Sequence, residues 1–97
     1  LFCVFKDVEM LAGCVAYLTD CAIHIQYIAA SDEGRLYGAL DLLFLTMLSL
    51  PMCEGRRYFD FGISTEQGGK LLNRGLLFQK EGFGARGICY DQYRLNL

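Results

Sequence analysis

Residues 36 to 50 form a helix-length run that is apolar nearly all round, and it lies between two runs that read as β-strands. Leu36, Ala39, Leu40, Leu43, Met47 and Leu50 make one stripe, while Leu42, Phe44, Leu45 and Leu48 cover much of the rest. Such a helix needs cover on both sides. Residues 22 to 30 alternate as a strand, with Ile23, Ile25, Tyr27 and Ala29 on one face and His24, Gln26, Ile28 and Ala30 on the other. Ser31-Asp32-Glu33-Gly34 supplies a turn and a candidate N-cap; Pro51 and Gly55 end the helix, and residues 57 to 63 form the next strand. Strand, helix and strand in that order predict a βαβ unit, with the two strands parallel and the crossover right-handed.

The remaining segments fit around that unit. Residues 2 to 6 and 10 to 18 read as a hairpin turning at Asp7-Val8-Glu9. After the second strand of the βαβ unit, Ser64 and Thr65 are placed to cap a helix over about Gly69 to Lys80, which carries Leu71, Leu72, Leu76 and Phe78. A last strand is expected over about Ala85 to Leu95, where Tyr93, Leu95 and Leu97 alternate with Gln92, Arg94 and Asn96. The expected fold is therefore α+β, with a mixed sheet and the order β-β-β-α-β-α-β.

Ninety-seven residues fit one small domain, 1–97. A hydrophobic share of 54% is high for that length, so part of the apolar surface is expected to meet another chain or a preceding segment. The chain opens on Leu1 directly in a strand-like run, which suggests a piece of a longer protein. Nine Lys and Arg residues are scattered without a basic stripe and the net charge is -2, which argues against DNA binding. Asp41 and Pro51 interrupt the apolar run, so a buried helix is expected rather than a membrane span. The odd count of five cysteines, with no CxxC pair, points to reduced thiols in a cytoplasmic protein. His24 is the one histidine, and no zinc-ligand spacing surrounds it.

Three constellations bear on chemistry. On the parallel pairing, His24 and Gln26 share a face with Tyr58 and Asp60 in one of the registers open to them, and an imidazole oriented by a carboxylate is a general-base arrangement. The plainer account, which the sequence favours, is a hydrogen-bonded sheet histidine and an Asp60 that caps a turn. The loop from Ser31 to Gly38, with Gly34 and Arg35, has backbone N–H groups and a guanidinium to offer a phosphate, although turn geometry alone explains its glycines. Asn73 and Lys80 fall two turns apart on one helix face, the spacing of a polar substrate pair or of a solvated face. No GxSxG elbow surrounds Ser64, so a serine hydrolase is not expected.

Tyr58-Phe59-Asp60-Phe61-Gly62, Leu72-Asn73-Arg74-Gly75-Leu76 and Lys80-Glu81-Gly82-Phe83-Gly84-Ala85 together resemble the C-terminal half of a GNAT-superfamily acyltransferase in its FemAB-related branch. The resemblance covers about the last forty residues, and the earlier elements follow it more loosely. It implies a sheet splayed open between residues 22–30 and 57–63, with an acyl thioester or an acyl-tRNA entering the wedge. It implies an N-acyltransferase moving an acyl group from acetyl-CoA, another acyl-CoA or an aminoacyl-tRNA to a small-molecule or peptide amine, with no covalently bound cofactor. On that reading Lys80 stabilises the oxyanion, His24 with Asp60 takes the amine proton, and Ser31, Gly34, Arg35, Gly38 and Asn73 hold the donor. The alternative is a non-catalytic module that keeps the scaffold and forms a homodimer through its apolar helix.

Overall fold

The computed structural model describes residues 1–97, apart from the side chain of Met52. The chain forms two compact units, Leu1–Ile63 and Ser64–Leu97.

The first unit is built on β1 (Phe2–Lys6), β2 (Glu9–Leu18), β3 (Ala22–Ala30) and β4 (Tyr58–Asp60), hydrogen-bonded in that order. β1–β2 and β2–β3 are antiparallel, and β3–β4 is parallel, as the βαβ pattern requires. The chain is thus α+β with a mixed four-stranded sheet. Helices α1 (Asp32–Tyr37) and α2 (Ala39–Leu48) make the crossover.

The expected single helix over 36–50 is corrected at Gly38. Ser31 caps α1 by accepting the Gly34 N–H on Oγ at 3.0 Å, so helix begins at Asp32 rather than Leu36. Gly38 then takes φ +68°, the left-handed conformation that ends one helix and opens the next. α2 packs Ala39, Leu43, Phe44 and Met47 inward, where Ile23, Ile25 and Cys14 of the sheet are also buried. The Phe44 ring stands edge-on to Phe59 and Phe61, with centroids 6.3 and 5.2 Å away. The opposite side of α2 leaves Leu42, Leu45 and Leu48 exposed, so this chain covers the helix on one side, not two.

A β-bulge corrects the expected faces of β3. Tyr27 pairs with Val15 and Ile25 with Ala16, which leaves Gln26 as one extra residue against β2. Because cross-strand partners share a face, Ile28 and Ala30 join Ile25 on the helix side, paired with Cys14 and Ala12. Tyr27 and Ala29 pass to the other face, with His24.

The second unit holds β5 (Thr65–Glu66) and β6 (Leu71–Leu72), an antiparallel pair, followed by α3 (Arg74–Gly82). The helix expected over 69–80 starts later because Gln67, Gly68 and Gly69 all take positive φ, which a right-handed α-helix does not accommodate. Asn73 caps it in place of Ser64 or Thr65: its Oδ1 accepts the Leu76 N–H at 3.0 Å, and its Nδ2 donates to Glu66 at 3.0 Å. The strand expected over 85–95 is absent, and residues 85–97 carry no regular secondary structure. Their alternation lacks the sheet partner that a strand requires, and Tyr93 and Leu95 stand exposed. The observed order is therefore β-β-β-α-α-β-β-β-α rather than β-β-β-α-β-α-β.

Candidate functional site

β4 pairs with β3 for three rungs, Ala22–Tyr58, Ile23–Phe59 and His24–Asp60. The ladder stops there for a local reason. Asp60 Oδ1 accepts the Gly62 N–H at 2.8 Å, and Gly62 takes φ +78°, which turns the chain out of strand geometry. A Cβ at residue 62 would lie 2.9 Å from the Ile25 carbonyl oxygen, so only glycine fits the turn against β3. The strand expected over 57–63 is shortened to Tyr58–Asp60 by this turn. β3 runs on for six further residues, and no described strand pairs with them on the β4 side.

The last rung carries the polar groups. His24 Nδ1 lies 2.8 Å from Asp60 Oδ2, and His24 Nε2 lies 3.0 Å from Gln26 Oε1. Tyr17, the β2 partner of His24, completes a cross-strand row Tyr17–His24–Asp60 on the sheet face away from α1 and α2. His24 and Asp60 are both partly open to solvent, with side-chain exposures of 35% and 51%. A carboxylate on Nδ1 orients the ring and takes the Nδ1–H; Nε2 meets an amide oxygen, which only accepts, so Nε2 is a free base only when the Gln26 amide turns its NH2 to the ring or moves away. Both readings of Asp60 hold together, since one oxygen caps the turn and the other meets the imidazole. A groove of about 270 Å³ runs over β1, β2 and the far end of β3, lined by Cys3, Gly13, Cys14, Tyr27 and Ile28 among others, and neither His24 nor Asp60 lines it.

The polar groups of the segment Ser31 to Gly38 are engaged within the fold. Ser31 Oγ accepts the Gly34 N–H and donates to the Leu11 carbonyl oxygen at 3.3 Å, and the Arg35 and Gly38 N–H groups are bonded within the turn. Gly34 is glycine because α1 presses on β2: a Cβ there would lie 2.0 Å from the Leu11 carbonyl oxygen. The Arg35 guanidinium pairs with Asp32 at 3.2 Å, and Asp32 and Glu33 put negative charge in the first turn, where an anion would be repelled. Lys6 reaches α1 from β1, donating to Tyr37 Oη at 2.9 Å and Glu33 at 3.3 Å; these bonds hold its ammonium charged to higher pH than usual.

In the second unit Asn73 is committed to capping α3, and Lys80 is buried, 7% exposed, in the last turns of that helix. No buried side-chain nitrogen or oxygen among the described residues lacks a hydrogen-bond partner. The five cysteines are free thiols; burial pushes the Cys14 thiol above its ordinary range, and its Sγ lies 3.6 Å from Met47 Sδ. Among the described residues no group of three or more His, Cys, Asp or Glu side chains is placed to hold a metal ion. No helix among them is long and apolar enough to cross a membrane.

Strand alternation places Gln26 on the His24 face and assigns it no role. Two residues along a regular strand lie about 6.5 Å apart, and the bulge that brings the Gln26 amide onto the ring leaves no mark in a single sequence. No family model matches the chain, and neither a curated protein nor a solved structure does.

Proposed function

We propose that the chain carries the proton-accepting centre of an N-acyltransferase, with His24 as the base and Asp60 as the residue that orients it. The observation carrying this reading is the hydrogen-bonded His24–Asp60 rung at the point where two parallel strands part. Open α/β sheets favour ligand sites at such points, beyond the carboxyl end of a strand. Beyond His24 no described strand pairs with β3 on the β4 side, and in this reading the extended acyl donor lies along that edge.

In the reaction the nitrogen of an amine attacks the acyl carbon of a thioester or an aminoacyl ester. The new N–C bond forms, and the C–S or C–O bond breaks with its electron pair leaving on sulfur or oxygen. The amine proton passes to His24 Nε2, and the Asp60 carboxylate stabilises the resulting imidazolium. The acidic first turn of α1 disfavours donor phosphates there, so the donor is held by β3 in this reading rather than by Ser31 to Gly38. Incubating the chain with acetyl-CoA and primary amines, and weighing the products by mass spectrometry, tests it. His24→Ala should lower turnover about a hundred- to ten-thousand-fold; equal product from the variant, or none from the wild type, counts against it. The role that the resemblance gives Lys80 is tested separately, and unchanged transfer by Lys80→Ala removes it.

A second reading rests on the exposed side of α2, where Leu42, Leu45 and Leu48 form an apolar stripe suited to self-association. Sedimentation decides it: a monomer at every concentration removes the assembly module.

A further inference from the structure

We infer that Gln26 is the positioning residue of the His24 site, with an amide that orients Nε2 by occupying the place that the attacking amine's N–H takes during proton transfer. The inference rests on the transferase reading for its chemistry and on two independent features for its geometry. First, Gln26 is the extra residue of the β2–β3 bulge, freed from the cross-strand pairing that fixes its neighbours. Bulges recur beside functional sites because they re-aim one side chain. Second, the re-aimed amide lies 3.0 Å from Nε2, the ring nitrogen opposite the one that meets Asp60.

A primary amide suits this position better than any charged group. With a carboxylate at Nδ1 and the Gln26 oxygen at Nε2, both ring nitrogens donate, which is the pattern of an imidazolium. A half-turn of the amide presents its NH2 instead, and Nε2 of the neutral ring accepts from it. Gln26 can therefore pair with either state of His24, and the oxygen-inward orientation present favours the protonated ring. It is also exposed, so an incoming amine can displace it without disturbing the core. The titratable side chains on the face of the ring are Asp60 and Tyr58 on β4, Tyr17 on β2 and Tyr27 on β3.

His24 is the single histidine, so a 15N-labelled chain gives one set of ring-nitrogen resonances to follow against pH. Gln26→Glu places a carboxylate at Nε2 and should raise the ring's titration midpoint by about one pH unit. Gln26→Leu keeps the volume but removes the hydrogen bond; it should lower the midpoint and move the Nε2 resonance more than the Nδ1 resonance. Gln26 is exposed at a bulge, so neither change threatens folding. Midpoints and Nε2 shifts equal to wild type in both variants would overturn the assignment. Acetyl transfer to benzylamine, measured alongside, separates the two claims: loss of transfer from the wild type counts against the transferase reading alone, and unmoved ring resonances count against Gln26 alone. If both stand, Gln26→Leu should change the benzylamine KM and the pH profile more than kcat at the optimum.

Discussion

The two units of this chain are held together by different means. In Leu1–Ile63 the buried side chains are Phe44, Ile23, Ile25, Met47 and their apolar neighbours, whereas in Ser64–Leu97 the one buried side chain is that of Lys80. The first unit hides its apolar periodicity in a sheet-and-helix core. The second rests on local devices: a run of positive-φ residues at Gln67 to Gly69, the two-rung β5–β6 pair and the Asn73 cap. A substitution should therefore act through lost packing in one unit and through lost capping in the other.

The largest effect expected from a single change is at Phe44, 1% exposed and edge-on to two aromatic rings. Phe44→Ala should cost about 3–5 kcal/mol, seen as a lower denaturation midpoint of the first unit. Gly34→Ala should follow, at about 1–3 kcal/mol, because the new methyl collides with the Leu11 backbone and α1 must lift from β2. A midpoint unchanged by either would mean that the sheet and helices are not packed as described.

In the second unit Asn73→Ala should cost about 1 kcal/mol, read as faster amide exchange at the start of α3. Phe78→Ala is the smallest, within about 0.5 kcal/mol, since Phe78 is 79% exposed despite being aromatic. A large loss at Phe78 would show that the second unit has an apolar core after all, and the contrast between the units would fall.

Titration sharpens the same contrast through Cys14. Burial raises its thiol pKa in the folded chain, so the neutral form is favoured by folding. Stability from this group is complete below the ordinary thiol pKa and is lost as pH rises through the raised folded value. Denaturation midpoints should fall with rising alkalinity in the wild type and fall less in Cys14→Ala, while alkylation at mild pH should reach Cys21 and Cys89, both exposed, long before Cys14.

What was legible in the sequence follows the same division. β3 was bounded correctly at Ala22 and Ala30, and the parallel pairing of β3 with β4 followed from the apolar helix between them. Periodicity encodes which residues must be buried, and the first unit has a core to bury them in. The break at Gly38 was missed because one glycine in a strongly apolar run does not reveal its φ. The bulge at Gln26 was missed because an extra residue is defined only against its partner strand. In the second unit Leu71, Leu72 and Phe78 look like a helical face, yet all three are exposed. The alternation of residues 92–97 looks like a strand, but a strand forms only where another strand pairs with it.

For the site, the residue types pointed to His24 and Asp60, while their hydrogen bond depended on a register that no single sequence fixes. Ser31, Gly34 and Gly38 stand out by their place ahead of an apolar helix, and the structure gives them capping and packing roles that a sequence does not reveal.

The central claim is that His24 and Asp60 act as one proton-accepting unit where the β3–β4 ladder ends. A double-mutant cycle on the rate of acetyl transfer tests it most directly, with His24→Ala, Asp60→Asn and the pair compared against wild type. Groups that act as a unit are grossly non-additive, so the double variant should be no slower than His24→Ala alone. Losses that multiply, or rates untouched by either change, would contradict the account.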